Sequence, residues 1–258
     1  MSDKEQPGLG DPSEEGGLSI SVVIPAYNEE KLLPRTLKAL DKAVATYEAA
    51  DLRSAEVIVV DNASTDQTAA AAAAAGARVI SEPTPGIGAA RNAGARAANA
   101  PRLLFLDADT IAPPETLLAI ARHLDQDGCI GGAVATDYRP KKRLLRPYLA
   151  MWRIVATVFH MTQGIAQFTT TEAFDALRGY DTEKRMAEDT DFYRRLRRYA
   201  KERGERVEVV TEVQVIPSCR RLDEWPVWKT ILKTNPLITR MFLTSERFWR
   251  GWGRDSVR

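Results

Sequence analysis

The amino-acid sequence predicts an α/β protein with a mostly parallel central sheet flanked by helices. Three observations carry this expectation. Apolar, β-branched runs without polar alternation recur, as at 20–24 (ISVVI), 57–60 (VIVV) and 102–106 (RLLFL), and strands apolar on both sides belong to parallel sheets covered on two faces. A segment of helical period follows each run, so strand and helix alternate. The runs end in polar clusters, Tyr27-Asn28-Glu29, Asp61-Asn62 and Asp107-Ala108-Asp109, on the edge where such sheets bind ligands.

The elements follow in order. Residues 1–17 are acidic and rich in Gly and Pro, and read as a disordered lead. Ile20–Ile24 is a buried strand ended by Pro25, and Glu29–Ala45 is a helix with Leu32, Leu33, Leu37 and Leu40 at helical spacing. Val57–Val60 is a second strand. Ser64 and Gln67 have capping-box spacing before an alanine-rich helix that Gly76 stops. ARVISE is a third strand, Gly88–Ala98 a helix, RLLFLD a fourth strand and Pro114–Leu124 a helix. Beyond Cys129 the alternation weakens: CIGGAVATDY reads as a strand, LLRPYLAMWRIVATVFHM as an apolar, basic helix, and GIAQFTTTEAFDAL as a strand and short helix. AEDTDFYRRLRRYAKERG is a helix with Phe192, Leu196 and Tyr199 on one face, and RVEVVTEVQVIPS is the last strand.

Composition narrows the function classes. At 258 residues and 44% hydrophobic, the chain can build a sizeable core, and a net charge of +1 does not suit a nucleic-acid binder. Cys129 and Cys219 have neither disulfide-framework nor metal-ligand spacing, which suits a reducing compartment. Neither a signal peptide nor a membrane-spanning run is expected, so the sequence points to the cytoplasm. His123 and His160 are poor metal candidates: one lies on a helix that needs a polar face, the other ends an apolar run.

Asp107 and Asp109 are two apart, and such residues on a strand face the same side. Both carboxylates can then converge on one cation, and hard oxygen ligands suit Mg²⁺ or Mn²⁺. Such a cation takes one or two carboxylates plus substrate phosphates and stabilises charge on a departing diphosphate. The other reading makes Asp109 or Thr110 a cap for the helix beginning near Pro113. At 188–191, EDTD opens a helix, where acids gain about 0.3–1 kcal/mol each from the macrodipole; the functional alternative is a general base. The stretch PTPGIGAARNAGARAA resembles a dinucleotide fingerprint only loosely, because Arg91 stands where the third Gly would be. It reads better as a loop that opens a helix N-terminus toward phosphate, with Arg91 or Asn92 at the ligand.

Five stretches, VVIPAYNEE, VVDNASTD, GIGAARNAG, FLDADT and AEDTDFYRRLRR, in this order and spacing, resemble a family 2 glycosyltransferase with the Rossmann-like GT-A fold. The resemblance spans roughly Leu18 to Arg221 and implies a nucleotide-sugar-binding half at 18–135 and an acceptor-binding, catalytic-base half at 136–221, followed by a basic aromatic helical tail at 222–258. It implies that Pro25, Ala26, Tyr27 and Glu29 line the base and ribose, and that Asp61 closes the nucleoside pocket. Arg91 would sit by the diphosphate, Asp107, Ala108 and Asp109 would meet ribose and metal, and Asp189 of the Glu188-Asp189 pair would be the base. The implied reaction is inverting and metal-dependent: one sugar passes from a UDP, GDP or dTDP sugar to an acceptor hydroxyl, on a lipid-linked or cell-envelope precursor. A nucleotidyltransferase would want a basic, Gly-rich loop where AYNEE stands, and a non-catalytic scaffold would not need Asp107, Asp109 and Asp189.

The chain departs from the family pattern in places. Asn62 replaces a common second Asp that can contact uracil, Thr169, Thr170 and Thr171 stand where acceptor-loop arginines are frequent, and the Gln-x-x-Arg-Trp motif of processive synthases is absent. A single transfer is therefore expected. Arg220 and Arg221 either approach the diphosphate or form a solvated pair. The run 139–153 holds six basic residues and no acid, and 218–258 holds nine basic against four acidic residues with four of the five Trp. That mixture suits peripheral contact with an anionic leaflet, at the inner face of the membrane. The alternatives are an acceptor-side wall or a homodimer interface.

Overall fold

A computed structural model of the chain describes residues 17–51, 53–158, 164–184 and 187–235. In chain order the elements are β1 (Leu18–Ala26), α1 (Leu33–Asp51), β2 (Ser54–Asp61), α2 (Thr68–Ala74), β3 (Arg78–Ser81), α3 (Ile87–Ala97), β4 (Arg102–Leu106), β5 (Thr110–Ile111) and α4 (Thr116–Leu124). There follow β6 (Cys129–Thr136), α5 (Leu145–Val158), β7 (Ala166–Thr170), α6 (Thr171–Ala176), α7 (Glu188–Glu202), β8 (Arg206–Pro217), α8 (Arg220–Glu224) and α9 (Val227–Thr234).

The strands form one sheet in the order β3-β2-β1-β4-β7-β6-β8-β5. β1 pairs in parallel with β2 and β4, and β2 with β3. β7 runs antiparallel to both β4 and β6, β6 and β8 are parallel, and β5 is antiparallel to β8. The parallel half is the one the sequence anticipates; the other half is mixed, because periodicity reports a strand's burial and not its direction.

Apolar residues on both faces of β1 and β4 explain the layering. Ile20, Val22, Ile24, Leu104 and Leu106 pack on one side with α1 and α4 residues such as Leu33, Leu40, Leu117 and Ile120. Val23, Leu103 and Phe105 pack on the other with Ala90, Phe174, Phe192 and Leu196. Each fully buried Val, Leu, Ile or Phe here contributes about 1.5–3 kcal/mol. Helix α3 lies unusually close to the sheet: a Cβ on Gly94 would come within 2.2 Å of Val23 Cγ1, so only glycine fits there.

Three local expectations are corrected. Helix α1 starts at Leu33, not at Glu29, because the Glu29 carbonyl accepts from the N–H groups of Leu32 and Leu33 in a turn, and Pro34 is tolerated only in a first turn. The Ser64–Gln67 capping box does not form. Gln67 makes no side-chain cap bond; Asp66 Oδ1 accepts from the Thr68 N–H at 3.0 Å instead, and Ser64 Oγ accepts from Asn28 N at 3.1 Å. Asp109 and Thr110 do not cap α4, which begins at Thr116 with Glu115 at its N-cap; Thr110 starts β5.

Candidate active site

Parallel pairing places the carboxyl ends of β1, β2 and β4 on one edge. The Asn62 N–H donates to the Ala26 carbonyl at 2.8 Å, tying two of those ends together. Segment 107–109 is stretched between two strands: Asp107 N donates to Ile165 O at 3.0 Å, and Asp109 O accepts from Ser218 N at 3.1 Å. Backbone bonds on both flanks therefore fix the two carboxylates, while Ala108 between them is buried.

Beneath the acids lies Arg91 of α3, only 2% exposed. Its guanidinium donates to Asp107 Oδ1 at 3.1 Å, to Glu188 Oε1 at 3.0 Å and to the Gly164 carbonyl at 3.1 Å. It also stacks over the Tyr180 ring at 5.1 Å. Burying the guanidinium is tolerable because charge-assisted bonds hold both of its Nη atoms, although its Nε has no partner among the described residues. Arg91 thus points inward, cross-linking two acids and a loop.

The three acids at the start of α7 divide their tasks. Glu188 holds Arg91. Asp191 is ion-paired with Lys184, Arg194 and Arg195 and belongs to the framework. Asp189 faces the cleft: its Oδ2 accepts from Gly164 N at 2.7 Å and its Oδ1 from Thr190 N at 2.6 Å. The Asp189 carbonyl accepts from Gln167 Nε2 at 3.1 Å, and Gln167 Oε1 takes the Tyr180 hydroxyl at 2.9 Å. Gly164, Gln167 and Tyr180 support the site without any sequence signal of their own.

On the opposite flank, Arg220 of α8 grips Glu29 with both Nη atoms, one at 3.0 Å, and lies 3.7 Å from Asp109 Oδ2. Arg221 is half-buried and feels the charges of Asp109, Asp107 and Glu29. A solvated arginine pair is therefore excluded. Glu29, expected at the ribose, is buried and committed to Arg220. Pro25 and Ala26 end β1, Tyr27 is half-buried beyond them, and Asp61 Oδ1 accepts from Ser64 N at 3.3 Å.

Burial dominates the electrostatics. It pushes the Asp107 carboxyl up to about 7, against the pull of Arg91 and with help from the charges on Asp109 and Asp189. Burial also raises Asp109, opposed by Arg220 and Arg221. Glu188 is raised by burial and by Asp189, opposed by Arg91, and Glu29 is raised by burial, opposed by Arg220. Five carboxyl groups (Glu29, Asp107, Asp109, Glu188, Asp189) gather around three guanidiniums (Arg91, Arg220, Arg221), and a bound cation would favour the charged form of those that burial raises. Among the described residues no group of three or more His, Cys, Asp or Glu is gathered to cage a metal. A pair of carboxylates fits Mg²⁺ or Mn²⁺ completed by phosphate and water.

Several departures noted in the sequence have structural explanations. Asn62 is buried; its Nδ2 donates to the Glu82 and Thr84 carbonyls at 2.9 and 2.7 Å, and its Oδ1 accepts from Gly86 N at 2.9 Å. It pins the loop before α3, with both Nδ2 hydrogens spent inside the protein. Thr169, Thr170 and Thr171 form no acceptor loop. Thr170 pairs with Arg102 at the far end of β4, Thr169 Oγ1 donates to Ile130 O, and Thr171 Oγ1 donates to Ala100 O. His123 lies between Glu208 and Glu212, and His160 lies outside the described residues.

A cavity of about 390 Å³ is lined by Thr136, Asp137, Tyr138, Arg139, Arg146, Leu149 and Ala150. Tyr138 in its wall has a phenol raised by burial and by the charges of Asp107, Cys219, Asp109 and Asp189.

The curled sheet, with one acid pair at the end of β4 and another at the start of α7, defines a GT-A α/β fold carrying an anionic cleft. The chain belongs to glycosyl transferase family 2, whose model matches residues 21–183. A mannosyltransferase from Pyrobaculum calidifontis, solved with GDP-Man and Mn²⁺, superposes with a TM-score of 0.65 at 21% identity over 85% of this chain and 61% of that one. In sequence, an uncharacterized glycosyltransferase of Mycobacterium tuberculosis H37Rv is 38% identical over 134 residues, 52% of this chain and 55% of the relative. The undecaprenyl-phosphate 4-deoxy-4-formamido-L-arabinose transferase of Klebsiella pneumoniae strain 342 is 33% identical over 122 residues, 45% of this chain and 36% of that protein. The chain spans about half the length, or less, of these curated relatives.

Proposed function

We propose that the protein transfers a single sugar from a nucleoside-diphosphate sugar to an acceptor hydroxyl, by direct displacement with inversion at the anomeric carbon. The observation that carries this is the oriented Asp189 carboxylate, held by Gly164 in the same cleft as the fixed Asp107–Asp109 pair. The nucleoside lies across the ends of β1 and β2, by Pro25, Ala26, Tyr27 and Asp61. Asp109, with the free oxygen of Asp107, would hold Mg²⁺ or Mn²⁺, which when bound neutralises charge on the diphosphate. Arg220, poised between Glu29 and Asp109, turns to the diphosphate as it enters, and Arg221 adds positive charge. Asp189 takes the proton from the acceptor hydroxyl. Arg91 keeps Asp107 and Glu188 in place, and Glu188 in turn orients Arg91.

The acceptor enters along Tyr138, past the cavity with Arg139 and Arg146 in its wall. Those cations suit an acceptor bearing a phosphate, and a similar protein named as an undecaprenyl-phosphate transferase supports a lipid-linked one. The test is a melting-temperature panel of UDP, GDP, dTDP and CDP with and without Mn²⁺, because a ligand that binds only the native state raises stability by mass action. One nucleotide should stabilise strongly and only with metal, and Asp109→Asn should remove the metal-dependent part. The matching donor sugar should then be turned over with inversion, read by NMR of the product. Full turnover by Asp189→Asn would refute the base assignment.

A further inference from the structure

Helices α5 and α9 lie side by side: the Tyr148 hydroxyl bonds the Ile231 carbonyl at 3.3 Å and Thr234 Oγ1 at 3.1 Å. Lys142 Nζ joins the Trp225 carbonyl just before α9. Their inner sides cover a small cluster of Leu145, Cys219 and Leu222, with Tyr138, Leu149 and Val227 around it. Their outer sides carry the exposed large apolar residues of the described chain. Leu144 is 80% exposed, Met151 48%, Ile154 63%, Trp228 67% and Ile231 37%. Leu144 in the turn before α5 and Met151 and Ile154 on it are seven and then three apart, opposite buried Leu145 and half-buried Trp152.

The border of this apolar face is basic. Lys141, Arg143 and Arg146 are exposed beside it, and Lys229 sits over the Trp225 ring at 4.7 Å. Acids are fewer at this border: Asp137 pairs with Arg139 at 2.7 Å, Asp223 accepts from the Lys141 N–H at 2.8 Å, and Glu224 is exposed. An apolar stripe of Leu, Ile, Met and Trp with cations at its border is the composition that lies in the headgroup layer of a bilayer. Each cation near an anionic leaflet strengthens binding.

We propose that the outer face of α5 and α9 docks on the surface of an anionic lipid bilayer. Among the described residues no helix is long and apolar enough to cross one, so the contact is peripheral. Tyr138, beneath α5, also lines the cavity with Arg139 and Arg146, so docking would bring a membrane-borne acceptor to the side where the proposed function places it. The docking itself needs neither donor nor catalysis, and a negative result leaves the donor reading standing.

The test is co-sedimentation of the full chain with phosphatidylcholine vesicles, with and without phosphatidylglycerol, at low and high salt. The chain should pellet with the anionic vesicles at low salt and be released by high salt. Removing two border cations, Lys141→Ala with Arg143→Ala, should weaken the partition coefficient roughly 30-fold, about five-fold per charge. Trp228→Ala should weaken it as well. All three side chains lie on the outer surface, so melting curves should match wild type; if a variant melts early, the lipid and salt dependence of the wild-type chain alone decides. Absence of pelleting with anionic vesicles at low salt overturns the proposal, and so does pelleting that ignores lipid charge and both variants. A dimer in light scattering that Trp228→Ala disperses, without vesicle binding, would assign the face to a second copy of the chain instead.

Discussion

Gly164→Ala tests the geometry of the site most sharply. A Cβ on residue 164 would lie 2.2 Å from Asp189 Cβ and 2.5 Å from its Oδ2. Carbon atoms pack at about 3.5–4.0 Å, so the Asp189 side chain or the loop must retreat by more than about 1 Å. The 2.7 Å bond from the Gly164 N–H to Asp189 Oδ2 would be strained in the same movement. A misplacement of about 1 Å in a reacting group lowers rate by about 100-fold. The expected result is a fall in kcat of that order, with the donor KM within about three-fold of wild type, because Asp109 is secured from the far flank by the Ser218 N–H. The assay is steady-state turnover of the donor identified by the nucleotide panel, with nucleotide-dependent melting as a control for the donor site. A variant that folds normally and keeps kcat within about three-fold would refute the idea that the Gly164 peptide orients the base.

Three further outcomes are expected. Arg91→Met leaves Asp107 and Glu188 without their buried partner; losing one side of a buried ion pair destabilises by about 3–5 kcal/mol, which thermal unfolding should show as a drop of about 10 °C. Asn62→Asp turns a carboxylate toward the Glu82 and Thr84 carbonyls, where two N–H donors now sit; unsatisfied buried groups of this kind destabilise by about 1–3 kcal/mol each, and urea melts should show it without any change in which nucleotide binds. Burial tends to raise the Asp191 carboxyl, but hydrogen bonds from Lys184, Arg195 and Arg194 hold it down at about 2. A depressed folded-state value means stability that is complete above the unfolded value near 4 and lost as pH falls toward 2. After allowance for solvent screening this amounts to about 1 kcal/mol, so the stability gap between wild type and Asp191→Asn should be present at pH 6 and vanish near pH 2.

The parallel half of the sheet was legible because β1, β2 and β4 are apolar on both faces, a pattern few other arrangements share. The antiparallel course of β7 was not, since the same apolar alternation serves either direction. Strand β5 has two residues, too few for any period to appear, yet it fixes one side of Asp109. The pairing of β8 with β6 skips from Val134–Val210 to Ala135–Gln214, a bulge that no spacing rule foretells. At the site, the acids were legible by type and spacing, but their partners were not. Arg91 meets Glu188 across 97 positions, and Arg220 meets Glu29 across 191. Such contacts follow from the closed sheet, and glycine at 164 matters only because that closure brings Asp189 against it.

The 191-position span between Glu29 and Arg220 also sets an order of assembly. During synthesis, β1 to β4 can pair and bury their apolar faces while β8 and α8 are still unmade. At that stage Glu29 has no counter-ion, and the Asp109 carbonyl lacks the Ser218 N–H that later secures it. The nascent chain therefore acquires the parallel half of its sheet before it acquires its cleft, and α8, made late, completes the loop that follows β1. Closing so long a chain segment is slow relative to local helix formation. In refolding, circular dichroism should recover ahead of nucleotide binding, and a chain cut short before Arg220 would resemble the protein in outline while Glu29 and Asp109 stood without their arginine partner.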